Sequence, residues 1–310
     1  ALNGVTSKAM ENIMNNAETD PAVRAIIVTG TGKVFCAGED LSELSEGGEC
    51  QTVTEHGFGG LTARLCSKPV IAACNGSAAG GGMEIALSCD MVVASERAKF
   101  GCTEVGLGII ASTGGLVRLA RDINRKDCME LLLTGKKIKA DEAKALGLIN
   151  YVVPAEEVMD KAIELAEECL KNAPLALKWT KYIVHAADQM SEEDAMRYSD
   201  AAYRFLEKTA DGIEGPAAFV EKRAPTDRSL GELPHRRSAH EEPATEAGSS
   251  AARLTLLTSQ TTRPKPSRIR AARSPYTRGS FSHAAEARIS RKSPSLRRAL
   301  PFSKFKIFCR

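Results

Sequence analysis

The sequence has no run of 18 or more apolar residues, so no segment has the length of a helical membrane span. Its start, Ala1-Leu2-Asn3-Gly4, has neither the basic region nor the apolar stretch of a signal peptide, and reads as if an upstream piece were missing. CxxC pairs are absent. The nine cysteines, at 36, 50, 66, 74, 89, 102, 128, 169 and 309, include several in apolar runs such as Val70-Ile71-Ala72-Ala73-Cys74. Thiols used as small hydrophobes point to a reducing intracellular compartment, either the cytoplasm or a mitochondrial or peroxisomal matrix. Histidines are few, at 56, 185, 235, 240 and 283, and none stands at zinc-ligand spacing, so no metal is expected.

Phosphate-loop signatures are missing too. Thr29-Gly30-Thr31-Gly32-Lys33-Val34 fails GxxxxGK[ST], because Ile27 stands at the first glycine position and Val34 follows the lysine. Phe35 takes the last glycine position of GxGxxG. Nucleotide hydrolysis and dinucleotide binding are excluded on that basis. His56 and His185 lie outside any glycine-rich turn, so no Ser/His/Asp set emerges, and no internal repeat is present.

What is present divides sharply at residue 226. Up to Thr226 there are 24 basic against 33 acidic side chains; from Asp227 there are 18 against 6, in a segment rich in Arg, Ser, Pro and Ala. Such a composition cannot bury enough apolar surface to offset backbone entropy of roughly 1–2 kcal/mol per residue, and predicts disorder over 227–310. Its charge suits non-specific nucleic-acid binding, a partner class expected here only as a remote alternative.

Before that point, strand and helix signals alternate. Thr6 is a candidate cap for a helix carrying Met10, Ile13, Met14 and Ala17. Val23–Thr29, Pro69–Cys74 and Asp90–Ala94 read as buried strands, and a glycine-rich turn after Cys74 opens a short helix over 80–88. Helices near 115–121, 126–134 and 140–146 and a strand over 148–153 follow, which argues for an α/β fold. Three helical stretches, 156–170, 174–187 and 191–208, then form a separate region. The expected organisation is an α/β core over 1–153, a helical region over 154–226 and the basic tail over 227–310.

Three segments could carry chemistry. Phe35-Cys36-Ala37-Gly38-Glu39-Asp40-Leu41 follows a strand, and its small residues allow a main-chain N–H to face a ligand; an ordinary turn explains it equally well. Asn75 to Ala86 contains Gly80-Gly81-Gly82 at a helix start, where free N–H groups suit an oxygen gaining negative charge. Glu84 in that first turn is also favoured simply by the helix dipole. Phe100 to Gly108 places Glu104 in an apolar, glycine-rich setting that would desolvate its carboxyl and raise its pKa, with an exposed loop glutamate as the plain alternative.

In this order and spacing the three segments resemble the crotonase superfamily, the enoyl-CoA hydratase/isomerase family. Lys68-Pro69-Val70-Ile71-Ala72-Ala73, Thr113-Gly114-Gly115, Leu133-Thr134-Gly135 and Glu214 to Arg223 extend the resemblance from Ala1 to about Thr226. The resemblance implies a spiral of ββα units with its first strands missing here, a C-terminal helical trimerisation region, and a homotrimer or hexamer. It implies an oxyanion hole from the N–H groups of Glu39 and Gly81, with Ala37, Asp40, Leu41, Gly80 and Gly108 binding substrate. Glu104 would exchange a proton at Cα, and Glu84 would position and deprotonate the water that attacks Cβ. The implied reaction is hydration or dehydration of 2-enoyl-CoA thioesters, with coenzyme A part of the substrate and no permanently bound cofactor. Enoyl-CoA isomerisation and a non-catalytic acyl-CoA- or RNA-binding role are the alternatives. His56 to Thr62, Gly114 to Leu119 and Ile213 to Pro216 look most like the carnitinyl-CoA dehydratase branch, for which Glu39 would be a partner of a quaternary ammonium.

Overall fold

The computed structural model describes residues 1–42, 52–225, 255–256 and 305–309. Two sheets and a two-stranded ribbon, β3 (Val53–Thr54) with β4 (Gly57–Phe58), form the frame. The first sheet places β1 (Ile26–Gly30), β5 (Val70–Cys74), β7 (Met91–Ser95) and β10 (Tyr151–Val153) side by side and parallel. The second runs β2 (Val34–Cys36), β6 (Ser77–Ala79), β8 (Lys99–Gly101) and β9 (Ile138–Lys139), the last antiparallel. The chain therefore repeats one move: β1 then β2, β5 then β6, β7 then β8, a long strand in the first sheet and a short one in the second. After β6 comes the helix Gly81–Ser88, completing a ββα unit.

The unbroken apolar runs of β1 and β5 have a simple cause. Their side chains alternate between two interiors. Ile26, Val28, Val70, Ala72 and Cys74 face the large core between the sheets, with Phe35, Phe100 and Ile85. Ala25, Ile27, Ile71, Ala73 and Val93 face the helix Val158–Leu170 through Val158, Ala162 and Ala166. Small residues on that helix let it lie close on the sheet.

The C-terminal helices Pro174–Ala187, Glu192–Leu206 and Ala210–Val220 bury little: Ala202 and Ala218 alone are fully covered. Trp179 ties the first two together, with ring centroids 6.0 Å from both Tyr198 and Phe205. Lys181 docks the group on the core by donating to the Lys68 carbonyl and Asp90, each at 2.6 Å. Phe219 stays 84% exposed, and Val184, Met196 and Ile213 are exposed as well.

Several expectations need correction. The first helix is Gly4–Thr19, and its cap is Asn3 rather than Thr6: Asn3 Oδ1 accepts both the Thr6 N–H, at 3.0 Å, and the Thr6 hydroxyl, at 2.7 Å. The glycine-rich turn after Cys74 contains the strand β6. The tail is not structureless throughout, since Phe305–Cys309 (β12) pairs antiparallel with the whole of β1, and Thr255–Leu256 (β11) pairs with β12. The backbone edge of β1 offers an unbroken row of N–H and C=O groups that a strand satisfies. The rest of the predicted disorder lies outside the described residues. Among those described, no helix is long and apolar enough to cross a membrane.

Candidate functional site

The three segments singled out by sequence converge on one cleft of about 500 Å³. Gly38, in the loop after β2, adopts φ +93°, a region that favours glycine, and its Cα lies beside the amide of Gly81: a Cβ built on Gly38 would stand 3.2 Å from Gly81 N. Leu2 fixes the same loop by a parallel bridge, its N–H donating to Gly38 O at 2.8 Å and its carbonyl accepting from Asp40 N at 2.7 Å. Since the bridge uses groups of Gly38 and Asp40, strand geometry turns the main chain of Glu39 away from Leu2, and Glu39 is among the residues lining the cleft. The helix Gly81–Ser88 opens from Gly80, at φ +57°, with no side-chain cap on its first amides.

Glu84 is only 3% exposed, and its carboxylate is gripped from one turn. Oε1 accepts from Thr113 N at 2.8 Å and Gly115 N at 2.9 Å, while Oε2 accepts from Thr113 Oγ1 at 2.5 Å. Three donors converging on two oxygens fix the orientation of the group. Glu104 sits in the opposite kind of place. It begins a 3₁₀ turn, Glu104–Leu107, with its carboxyl against Gly80: a Cβ there would be 3.4 Å from Oε1. Oε2 is buried and makes no hydrogen bond among the described residues. Desolvation, and after it the nearby Glu84 charge, push its pKa above the ordinary carboxylate range. One cleft thus holds a carboxylate clamped by three donors and a desolvated carboxyl whose pKa is raised.

Ala37, Leu41, Gly80 and Gly108 line the cleft with Glu39, Gly81, Glu84 and Glu104. Asp40 does not: its carboxylate turns back to accept from Ser42 Oγ at 2.7 Å and Ser42 N at 3.4 Å. Glu39 Oε1 accepts from Thr52 Oγ1 at 2.6 Å. Sequence reasoning passed over Thr113 and Gly115, which hold Glu84, and Phe58, whose ring packs on Gly81 so closely that a Cβ there would be 2.6 Å from Cε1. Thr113-Gly114-Gly115 stood out only as part of the family resemblance; a hydroxyl followed by two glycines is also the pattern of a turn with free amides. Ile109 and Ile110, exposed apolar residues beside Gly108, complete an apolar wall.

The chain is similar to known proteins over most of its length. The sequence profile described as Enoyl-CoA hydratase/isomerase matches residues 1–228. Short-chain-enoyl-CoA hydratase of Clostridium acetobutylicum is 41% identical over 230 residues, covering 72% of this chain and 87% of the relative. Carnitinyl-CoA dehydratase of Proteus mirabilis is 39% identical over 232 residues, covering 73% and 89%. The crystal structure of enoyl-CoA hydratase from Mycobacterium tuberculosis superposes with a TM-score of 0.69 at 36% identity, over 73% of this chain and 88% of the other. With its paired-sheet spiral, its glycine-opened helix and nearly three quarters of its length matched, the chain belongs to the enoyl-CoA hydratase/isomerase family.

Proposed function

We propose that the protein catalyses the reversible hydration of 2-enoyl-CoA thioesters with Glu84 and Glu104 as its acid/base pair. The observation that carries this reading is the contrast between the two carboxyls in one cleft: Glu84 clamped by three donors, Glu104 desolvated with a buried oxygen that makes no hydrogen bond among the described residues. In the hydration direction, Glu84 accepts a proton from water as the oxygen attacks Cβ. The electron pair of the double bond moves toward the thioester, and the N–H groups of Glu39 and Gly81 stabilise the enolate oxygen. Glu104 then delivers a proton to Cα. Dehydration runs the same steps backwards. The environments divide the labour: a clamped carboxylate faces the attacking water, and a desolvated carboxyl with a raised pKa delivers the proton.

The test is the loss of the enoyl-thioester absorbance with crotonyl-CoA. Glu84→Gln and Glu104→Gln are each expected to lower turnover about 10²- to 10⁴-fold while acyl-CoA binding persists. Normal turnover in either sinks the assignment, and double-bond migration of a 3-enoyl-CoA without net water addition favours isomerisation.

Glu39 favours a narrower choice of substrate. It puts a third carboxylate on the cleft wall, beside Thr52, which suits an acyl group bearing a quaternary ammonium, as in crotonobetainyl-CoA. A lower KM for that thioester than for crotonyl-CoA, lost in Glu39→Gln, is the expected outcome. The exposed apolar residues of the C-terminal helices, Phe219 above all, support a homotrimer or a hexamer, which light scattering tests directly.

A further inference from the structure

Behind the cleft, across the turn at Ser112 and Thr113, lies a second cavity of about 910 Å³. Ser112 and Thr113 border both spaces, so the turn that grips Glu84 is a thin wall between them. Arg118, half-buried on the helix Gly115–Asp122, braces that wall from behind. Its Nη2 donates to the Thr62 carbonyl at 2.5 Å, and Nη1 reaches the Thr113 carbonyl at 3.5 Å. The guanidinium also fills the space beside Gly114, where a Cβ would collide with Nη1.

The two carbonyls belong to different halves of the site. Thr113 holds Glu84 through its amide and hydroxyl. Thr62 Oγ1 accepts the Phe58 N–H at 2.8 Å, and the Phe58 ring packs on Gly81. We infer that Arg118 is a positioning residue for the hydration reaction: by holding the Thr113 and Thr62 carbonyls with one guanidinium it keeps Glu84 in register with the Gly81 amide. A planar fork fixes two acceptors relative to each other, which the point charge of a lysine does not. Burial pushes Arg118 below its ordinary pKa, and the charges of Asp122 and Glu84 pull the other way.

The inference rests on the role given to Glu84, and the experiment separates the two. Steady-state kinetics with crotonyl-CoA would be measured on the full chain and on Arg118→Met, Arg118→Lys, Arg118→Ala, Glu84→Gln and the Arg118→Met/Glu84→Gln double variant. Arg118→Met, which keeps an apolar stem, is expected to lose about 10- to 100-fold in kcat with KM within about twofold. Arg118→Lys recovers part of the loss, and guanidinium ion, entering through the rear cavity, recovers part of it in Arg118→Ala. In the Glu84→Gln background, Arg118→Met adds nothing. Unchanged kcat in Arg118→Met, a loss confined to KM, or a loss that adds in full to that of Glu84→Gln overturns the inference. Should Arg118→Met fail to fold, unchanged kcat in Arg118→Lys overturns it equally. Normal turnover in Glu84→Gln overturns the reading of Glu84 and this inference with it, whereas a loss there beside an intact Arg118→Met overturns this inference alone.

Discussion

Thr113 is joined to Glu84 twice, its amide to Oε1 at 2.8 Å and its hydroxyl to Oε2 at 2.5 Å. The amide bond survives any substitution except proline, whereas the hydroxyl bond survives only in serine. A hydrogen bond to a charged group contributes about 1.5–3 kcal/mol. Thr113→Val, which keeps the branched shape, is therefore expected to lower kcat about 10- to 100-fold, and Thr113→Ser to retain most of it. Equal turnover in Thr113→Val and the parent protein would show that the two amide donors suffice.

Gly81 offers a test of space rather than of charge. Within a helix, replacing glycine by alanine ordinarily stabilises by about 1 kcal/mol. Here the new Cβ meets the Phe58 ring at 2.6 Å, so either the ring or the Gly81 amide, proposed above to hold the enolate oxygen, moves. Gly81→Ala is expected to fall about 100-fold in kcat, since a shift of about 1 Å can cost that much. Adding Phe58→Leu, which removes the ring edge, returns part of the activity. No recovery in the pair would mean that the ring does not transmit the strain.

Glu104 makes a prediction in the opposite sense for stability. Its carboxyl binds a proton more tightly in the folded protein than at the ordinary value of 4.5, through desolvation first and the Glu84 charge second. Ionising it therefore costs stability as pH rises above that value, and the cost is absent below it. Glu104→Gln is expected to melt about 1–2 °C higher at pH 7 and no higher at pH 4, the smallness reflecting a half-exposed group. A gain of equal size at both pH values would point to packing rather than to charge.

How far the sequence revealed this molecule depended on residue type. β1, β5 and β7 could be read directly because both their faces are buried, which demands continuous apolar runs. β6 could not: Ser77-Ala78-Ala79 is too short for a period and too small in side chain to signal burial. The helix Ala210–Val220 was hidden for another reason. Gly212, Gly215 and Pro216 argue against it by propensity, yet Thr209 caps it and Ala218 anchors it. Glu84 and Glu104 could be named, each with an innocent explanation when taken alone, and the structure brings both into one cleft. Thr113 bonds the Glu84 carboxylate 29 residues away and Arg118 the Thr62 carbonyl 56 residues away, relationships that no local pattern encodes. Pairing of Phe305–Cys309 with β1 was equally invisible, because strand edges recruit partners by backbone and not by composition.

The groups that line and brace the cleft, from Ala37 to Arg118, come from one contiguous part of the chain, with Leu2 as the outlying support. The helices after Pro174 contribute none of its lining. During synthesis, at about 5–20 residues per second, the whole reaction centre leaves the ribosome before the first of those helices exists. Assembly of copies through the exposed faces of the late helices would then join centres already formed, and a stop in translation between Leu170 and Pro174 would yield a chain that keeps the cleft residues and the helix covering the first sheet but lacks those faces.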